Sequence, residues 1–188
     1  GNDVLGPMFL GGAVVGLICA LPAYPLTLDY RDHPLGPAWI EHHPWGDRMD
    51  DCLEPFTLDQ VCHCFEKMES LWKQGLALYA SALDELENRH AIEELSCARM
   101  IGCHLSAMRN IFEFHRHRKT IMEKLGLSGP CRIPADSRTT ELIQRQKQVC
   151  CTALELIQKD ARFGYHQEPH IYFYDENKIK AAIEQCTV

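Results

Sequence analysis

Residues 88–125 of this chain read NRHAIEELSCARMIGCHLSAMRNIFEFHRHRKTIMEKL, a long run that contains no proline. Its apolar side chains recur at spacings of three and four, which is the period of one face of an α-helix. The residues on this stripe are Ile92, Leu95, Gly102, Leu105, Met108, Phe112, His115 and Met122. A helix of this length would extend over about 50 Å, so we predict a central helix on which the other helices pack.

Three further segments are predicted to be helical. Before the central helix, Thr57 and Gln60 form the capping-box pattern that opens a helix. After it, a Gly- and Pro-rich segment interrupts helical structure, and a third helix starts near residues 135–136. Asp175 caps a last short helix over residues 176–185. The predicted fold class is all-α, an antiparallel helical bundle of three long helices and one short one.

The first 56 residues differ in composition from the rest of the chain. Seven prolines fall in this segment, and proline interrupts helices and central strands. We therefore predict an irregular, Pro- and Gly-rich N-terminal arm over residues 1–56 and a helical bundle domain over residues 57–188. Apolar and aromatic side chains on such an arm need a covering surface, which either the helices or a domain absent from this sequence would supply.

Charge and hydropathy exclude two classes of partner. The formal net charge of −7 argues against a general nucleic-acid surface, which requires a basic excess. The basic residues cluster at positions 115–119, and we interpret that turn as a solvated helix face. The apolar run at residues 8–21 is shorter than the roughly twenty residues that a membrane span needs. We predict neither a nucleic-acid partner nor a membrane.

The ten cysteines are interpreted as reduced, mostly buried thiols of a cytoplasmic protein. Cys62, His63 and Cys64 do not form a metal-site pattern, because neighbours one and two apart point to different sides of a helix. Cys150 and Cys151 are interpreted as adjacent buried thiols, with a redox pair as the alternative. We predict no metal, no cofactor and no catalytic residue in this chain.

Two loops concentrate aromatic and charged side chains. Residues 41–48 read EHHPWGDR, and residues 160–174 read DARFGYHQEPHIYFY. A flat aromatic face combined with directional hydrogen-bonding groups is typical of a sugar pocket. The candidate ligand-binding residues are His43, Trp45, Asp47, Arg48, Arg162, Tyr165, His166 and Glu168. The alternative for both loops is that their aromatic side chains pack them onto the bundle.

Short motifs distributed in order along the chain resemble a known group of proteins. The motifs are Leu5-Gly6-Pro7, Trp45-Gly46-Asp47-Arg48, Trp72-x-x-Gly75-Leu76 and Asp160-x-Arg162-x-Gly164-Tyr165, followed by Tyr172-x-Tyr174. In this order they resemble the C-terminal helical region of large bacterial glycoside-hydrolase-like proteins, in which a catalytic (β/α)₈ barrel precedes a helical domain. The chain departs from that pattern at His166 and Gln167, where an acidic residue and an asparagine are expected.

The resemblance implies an accessory helical domain of a carbohydrate-active protein that is not catalytic alone. Its partner would be a catalytic barrel outside this chain, or a partner protein, with carbohydrate as a further ligand. Because the chain begins with Gly1 rather than methionine, we expect a fragment or a processed product. The alternative function is a stand-alone helical protein-interaction module. A thiol- or metal-dependent helical sensor is the third and least favoured function.

Overall fold

The computed structural model describes residues 21–32, 48–53, 56–83, 89–166 and 171–188. Four α-helices form within these ranges: α1 (Leu58–Leu83), α2 (Arg89–Leu125), α3 (Ser137–Lys159) and α4 (Glu176–Gln185). The described part of the arm contains two 3₁₀ turns, Leu21–Ala23 and Met49–Cys52. The predicted all-α bundle of three long helices and one short one is confirmed.

Two short antiparallel strand pairs, which the sequence patterns did not predict, hold loops in place. Strand β1 (Asp29–Tyr30) of the arm pairs with β2 (Cys131–Arg132), between α2 and α3. Strand β3 (Tyr165–His166) pairs with β4 (Ile171–Tyr172), between α3 and α4. Two-residue strands are too short for an alternating apolar pattern to reveal them.

The predicted helix starts are confirmed by their capping hydrogen bonds. At α1, the Thr57 amide donates to Gln60 Oε1 at 2.9 Å, and the Gln60 amide donates back to Thr57 Oγ1 at 3.3 Å. At α3, the Thr139 amide donates to Asp136 Oδ1 at 2.7 Å. The Asp175 carboxylate caps α4 in the same way. Each such cap stabilises its helix by about 1 kcal/mol.

Helix α2 is the centre of the bundle, because both α1 and α3 pack along it. A first core forms around Val61, Phe65, Phe112, Leu142 and Ile143, where the Phe65 and Phe112 rings stack with centroids 5.3 Å apart. A second core lies closer to the start of α2. It contains Met100, Cys103, Ala153, Phe173 and Ile179, and it joins α3 and α4 to α2.

The predicted apolar stripe of α2 is only partly correct. Phe112 is fully buried as predicted, whereas Ile92 is 66% exposed and Leu105 is half-buried. Met100 and Phe114, which the stripe omitted, are buried. The reason is that α2 is covered from more than one direction over its second half, so its burial does not follow a single face.

The described part of the N-terminal arm is buried on the helices of its own chain. Tyr24, Leu26, Leu28, Met49 and Leu53 all belong to the first core. The side-chain Nε2 of Gln146 donates to the Tyr24 carbonyl at 2.9 Å, and its Oε1 accepts a hydrogen bond from the side chain of Asn110 at 3.2 Å. The helices therefore supply the covering surface that these arm residues require. The apolar run at residues 8–20 lies outside the described residues.

The basic turn of α2 is only in part the solvated face that the sequence predicted, because Arg116 and Lys119 are exposed whereas His115 and Arg118 are buried. Its side chains contact carboxylates and a ring from other parts of the chain. His115 Nε2 and Lys119 Nζ lie 3.3 and 3.2 Å from Asp50 Oδ2. The other contacts are Arg116 with Asp59, His117 with Asp136, and Arg118 over the Tyr30 ring. This turn fastens the arm and two helix starts to α2.

Candidate functional site

The outer parts of α1 and α2 leave apolar side chains uncovered. We call residues 70–83 and 89–101 together the outer hairpin. On α1 the buried residues end at Glu69, and every later position is half-buried or exposed. Leu71 is 58% exposed and Leu78 is 76% exposed. The two helices still hold together, because the Trp72 indole donates to the Ala98 carbonyl at 2.9 Å.

An open groove lies beside the outer hairpin. One wall is formed by α2 with Tyr79 of α1, and the other wall is formed by residues 160–163, where α3 ends and the next loop begins. The apolar lining of the groove comes from Cys97, Ala98, Ile101 and Phe163. The groove consists of two adjoining depressions, of about 760 and 310 Å³, which share Cys97, Ile101 and Phe163 among their lining residues. Ile101 is 45% exposed, so the apolar lining is open to solvent.

The loop wall of the groove is rigidly built. Arg162 donates from Nε to Asp160 Oδ1 at 2.8 Å and from its Nη2 to Oδ2 at 2.6 Å, which holds the pKa of Asp160 at about 2. Gly164 follows with φ of +89°, and a Cβ there would lie 2.2 Å from the Tyr174 carbonyl oxygen. Only glycine fits that position. The Phe173 amide closes the turn by donating to the Gly164 carbonyl at 2.9 Å.

One end of the groove is aromatic. The rings of Tyr165 and Tyr172 contact each other with centroids 5.2 Å apart, and the two residues are 47% and 44% exposed. Tyr174 beside them is buried, and its hydroxyl lies 2.9 Å from His104 Nε2. This end therefore presents both exposed rings and a fixed hydrogen-bonded wall.

The opposite end of the groove is acidic. Glu93 and Glu94 line it on α2, beside Tyr79 of α1. The Tyr79 hydroxyl donates to the Glu94 carboxylate, which raises the pKa of Tyr79 and keeps it a neutral donor. Among the residues that line this end, the charges of Asp160 and Arg162 cancel, and Glu93 and Glu94 add two carboxylates beside His90.

The structure places the sequence-predicted site residues in different locations. Arg162 and Tyr165 both line the groove. Arg48 is exposed and directly precedes the Met49–Cys52 turn. Because Met49 lies beside Ile111 in the second half of α2, this turn is away from the groove. The backbone of His166 lies in β3. His43, Trp45, Asp47 and Glu168 lie outside the described residues.

Sequence reasoning missed the residues that α1 and α2 contribute to the groove. They include Tyr79, Glu93, Glu94, Cys97 and Ile101. One signal was available, because Ile101 is a large apolar residue that does not fall on the predicted stripe of α2. An apolar side chain off the buried face of a helix indicates either a second packing surface or an interface.

A cluster of charged side chains outside the groove joins α1, α2 and α3 and has a structural role. The carboxylate of Glu113 is almost fully buried and accepts hydrogen bonds from Arg109, Arg138 and Arg145 at 2.8, 2.7 and 3.1 Å. Arg109 also donates to Glu69 at 2.7 Å. These cations are committed to carboxylates of the same chain, so the cluster offers no open anion site.

The described ranges contain no group of three or more His, Cys, Asp or Glu side chains placed to hold a metal ion. Cys62 is buried while His63 is exposed, so the two residues point to different sides of α1 as predicted. That the whole chain binds no metal stays a prediction for elemental analysis. Within the same ranges, no helix is both long enough and apolar enough to cross a bilayer.

Comparisons with known proteins give no further identification. No protein-family model, curated protein or solved structure matches this chain. The resemblance to glycoside-hydrolase-like proteins therefore rests on the short sequence motifs, and function has to be argued from the groove.

Proposed function

We propose that this chain is a non-catalytic helical module that docks a partner protein in the groove beside α2. The observation that carries the proposal is the open apolar lining around Ile101, which is 45% exposed although it lies within a helix that is the centre of the bundle. Contiguous exposed apolar surface with a polar rim is typical of a protein-interaction site. Leu71 and Leu78 of the outer hairpin are further apolar side chains exposed to solvent.

The packing of the part of the arm that the structure describes, residues 21–32 and 48–53, favours a stand-alone module over an accessory domain. An arm shaped to lie on an absent barrel would leave its apolar side chains uncovered on the bundle. Instead, Leu26 and Leu28 are 2% and 3% exposed, and Tyr24 is bonded to α3 through Gln146. The proposal therefore takes the interaction module as the leading function.

A cytoplasmic location belongs to the same proposal. Eight of the cysteines are free thiols, and one of these, Cys97, is exposed in the groove. An exposed thiol at an interface is kept reduced in a compartment with a glutathione pool. This supports a reducing environment for the interaction.

Site-specific photo-crosslinking tests the proposal. A photoreactive amino acid placed at Ile101 should give a defined crosslinked partner in cells, and one placed at Leu125, also exposed on α2, should not. The purified partner should bind the chain, and Ile101→Asp should weaken that binding at least about tenfold. If Ile101→Asp leaves the binding unchanged while the chain stays folded, the groove is not the docking site.

The second candidate function is the accessory domain of a carbohydrate-active protein. The observation that favours it is the exposed Tyr165–Tyr172 pair beside Arg162, because exposed aromatic faces with nearby directional groups suit a sugar ring. In this proposal the catalytic carboxylates lie in a barrel outside this chain. The chain alone should then bind an oligosaccharide without hydrolysing aryl glycosides.

A glycan array separates the two candidates. Binding of one glycan class by the unmodified chain, lost in Tyr172→Ala and retained in Ile101→Asp, would support the carbohydrate function. Retention of binding in Tyr172→Ala, or absence of binding on the whole array, would count against it. Hydrolysis of aryl glycosides by the isolated chain would contradict both candidates.

A further inference from the structure

We infer that the occupant of the groove is an amphipathic helix with lysine or arginine side chains beside its apolar ridge. The inference rests on the proposed function and specifies the chemistry of the partner. It is argued from the shape of the groove, from its length and from its charge.

The shape of the groove favours a helix over an extended peptide. A common way for an extended peptide to bind is to add a strand to an exposed sheet edge. The strands of the described ranges are two residues long, and each pairs with one other strand, so these pairs offer no continuous edge. The groove is instead lined by one side of α2, with Cys97, Ala98 and Ile101 at helical spacing, opposite the loop residue Phe163.

The length of the groove matches a short helix. Its lining residues on α2 run from His90 to His104. At 1.5 Å per residue this corresponds to about 21 Å, or about four helical turns. An apolar ridge with helical spacing that continues from i to about i+14 on a partner helix would cover that length.

The charged residues that line the groove indicate which charge the partner helix carries beside its apolar ridge. Asp160 and Arg162 neutralise each other at 2.6 Å, and His90 lies 3.9 Å from the Glu93 carboxylate. Glu93 and Glu94 then make carboxylates outnumber cations among the residues that line this end of the groove. A cationic flank complements this end, whereas an acidic flank is repelled.

Two model peptides of about 18 residues test the inference. They share one apolar ridge and differ only in lysine or glutamate at the flanking positions. Fluorescence anisotropy should show that the lysine peptide binds at least about tenfold more tightly than the glutamate peptide. Raising the salt concentration should weaken the lysine peptide, because added ions screen the exposed glutamates.

Matched variants locate the binding. Glu93→Gln/Glu94→Gln should reduce the affinity for the lysine peptide about tenfold, whereas Glu123→Gln/Glu184→Gln removes the same charge at exposed positions elsewhere and should leave it unchanged. Ile101→Asp should abolish binding, with circular dichroism to confirm folding.

Three outcomes overturn the inference. Equal binding of both peptides that Ile101→Asp abolishes would reject the charge preference and leave the docking proposal intact. Binding of neither peptide would reject the amphipathic helix. Self-association of the chain that is lost in both Ile101→Asp and Leu78→Asp would assign the groove to a second copy.

Discussion

The inner and outer parts of the α1–α2 pair have the same secondary structure and different surroundings. In the inner part, Phe65 and Phe112 stack in the first core and are fully buried. In the outer part, no α1 residue from 70 to 83 is buried, although Leu71, Leu76 and Leu78 are as apolar as their inner counterparts. Helical spacing of apolar residues therefore determines where α1 forms, and other segments determine which of those residues are buried.

Those other segments are the arm and α3. The arm residues Tyr24, Leu28 and Met49 join the first core, and so do Leu142 and Ile143 of α3. The arm and α3 cover the inner part of the α1–α2 pair. At the outer hairpin, the corresponding surface is open and forms one wall of the groove. We therefore expect the inner part to contribute most of the stability of the bundle, and the docking proposal assigns binding to the outer part.

The largest expected effect on stability comes from removing a buried side chain of the inner part, compared with an exposed one of the outer part. Phe112→Ala removes a fully buried ring and should lower the free energy of unfolding by about 3–5 kcal/mol. Leu78→Ala, at a position that is 76% exposed, should change it by less than about 0.5 kcal/mol. Urea unfolding followed by circular dichroism measures both. Equal losses would mean that the outer hairpin has a covering layer of its own.

The polar cluster of the inner part should give the next largest effect. Glu113→Ala leaves Arg109, Arg138 and Arg145 without their shared, almost fully buried carboxylate, and it should cost about 3 kcal/mol. The control is Glu141→Gln, because Glu141 pairs with Arg138 at the surface and should contribute little. Similar urea midpoints for the two variants would show that the cluster is not a structural tie between the helices.

The contact between His115 of α2 and Asp50 of the arm should make the free energy of unfolding depend on pH. Burial lowers the pKa of His115 below its ordinary value of 6.5, and the opposing effect of Asp50 does not cancel that. The charged groups facing the ring are Asp50, Arg118 and Lys119. Since the unfolded chain binds the proton more tightly, the free energy of unfolding should fall as the pH decreases below about 6.5.

Urea midpoints at pH 7.5 and pH 5.5 measure this effect. The midpoint of the unmodified chain should decrease more than that of His115→Gln. His63→Gln, at an exposed position of α1, should behave as the unmodified chain. The Asp50 carboxylate, whose pKa is about 2 through its His115 and Lys119 contacts, contributes its own loss only below about pH 4. Identical pH dependence in all three proteins would exclude His115.

The smallest expected effect is a gain in stability in the outer hairpin. A Cβ at Gly75 meets no atom within 4 Å, so Gly75→Ala should raise the free energy of unfolding by about 1 kcal/mol. Gly164→Ala should instead destabilise the chain, because of its positive φ and the nearby Tyr174 carbonyl. Differential scanning calorimetry measures both variants. A loss of stability in Gly75→Ala would indicate that this face of α1 is covered.

The helices were predictable from the sequence because their signals are local. The Thr57–Gln60 capping box, the Asp175 cap and the apolar spacing of α3 all act within a few residues. The contacts of the basic turn were not predictable in this way. Arg116, His117 and Lys119 reach Asp59, Asp136 and Asp50, which are 57, 19 and 69 positions away in the chain.

The candidate site was predictable only in its loop. The aromatic and charged pattern of residues 160–174 indicated Arg162 and Tyr165, which line the groove. The contribution of Cys97 and Ile101 was missed, because it depends on which side of α2 the outer hairpin leaves uncovered. That property is set by the extent of the arm and α3 contacts, and no local pattern encodes it.

The hydrogen bond from Gln146 to the Tyr24 carbonyl has a consequence for the folding rate. It joins residues 122 positions apart, and the Asp29–Arg132 bond joins residues 103 positions apart. Closing a loop of that length costs roughly 2 kcal/mol more in chain entropy than closing one of about ten residues. We expect the arm to dock after the helices have paired, so this chain should fold more slowly than a helical bundle whose contacts are all local.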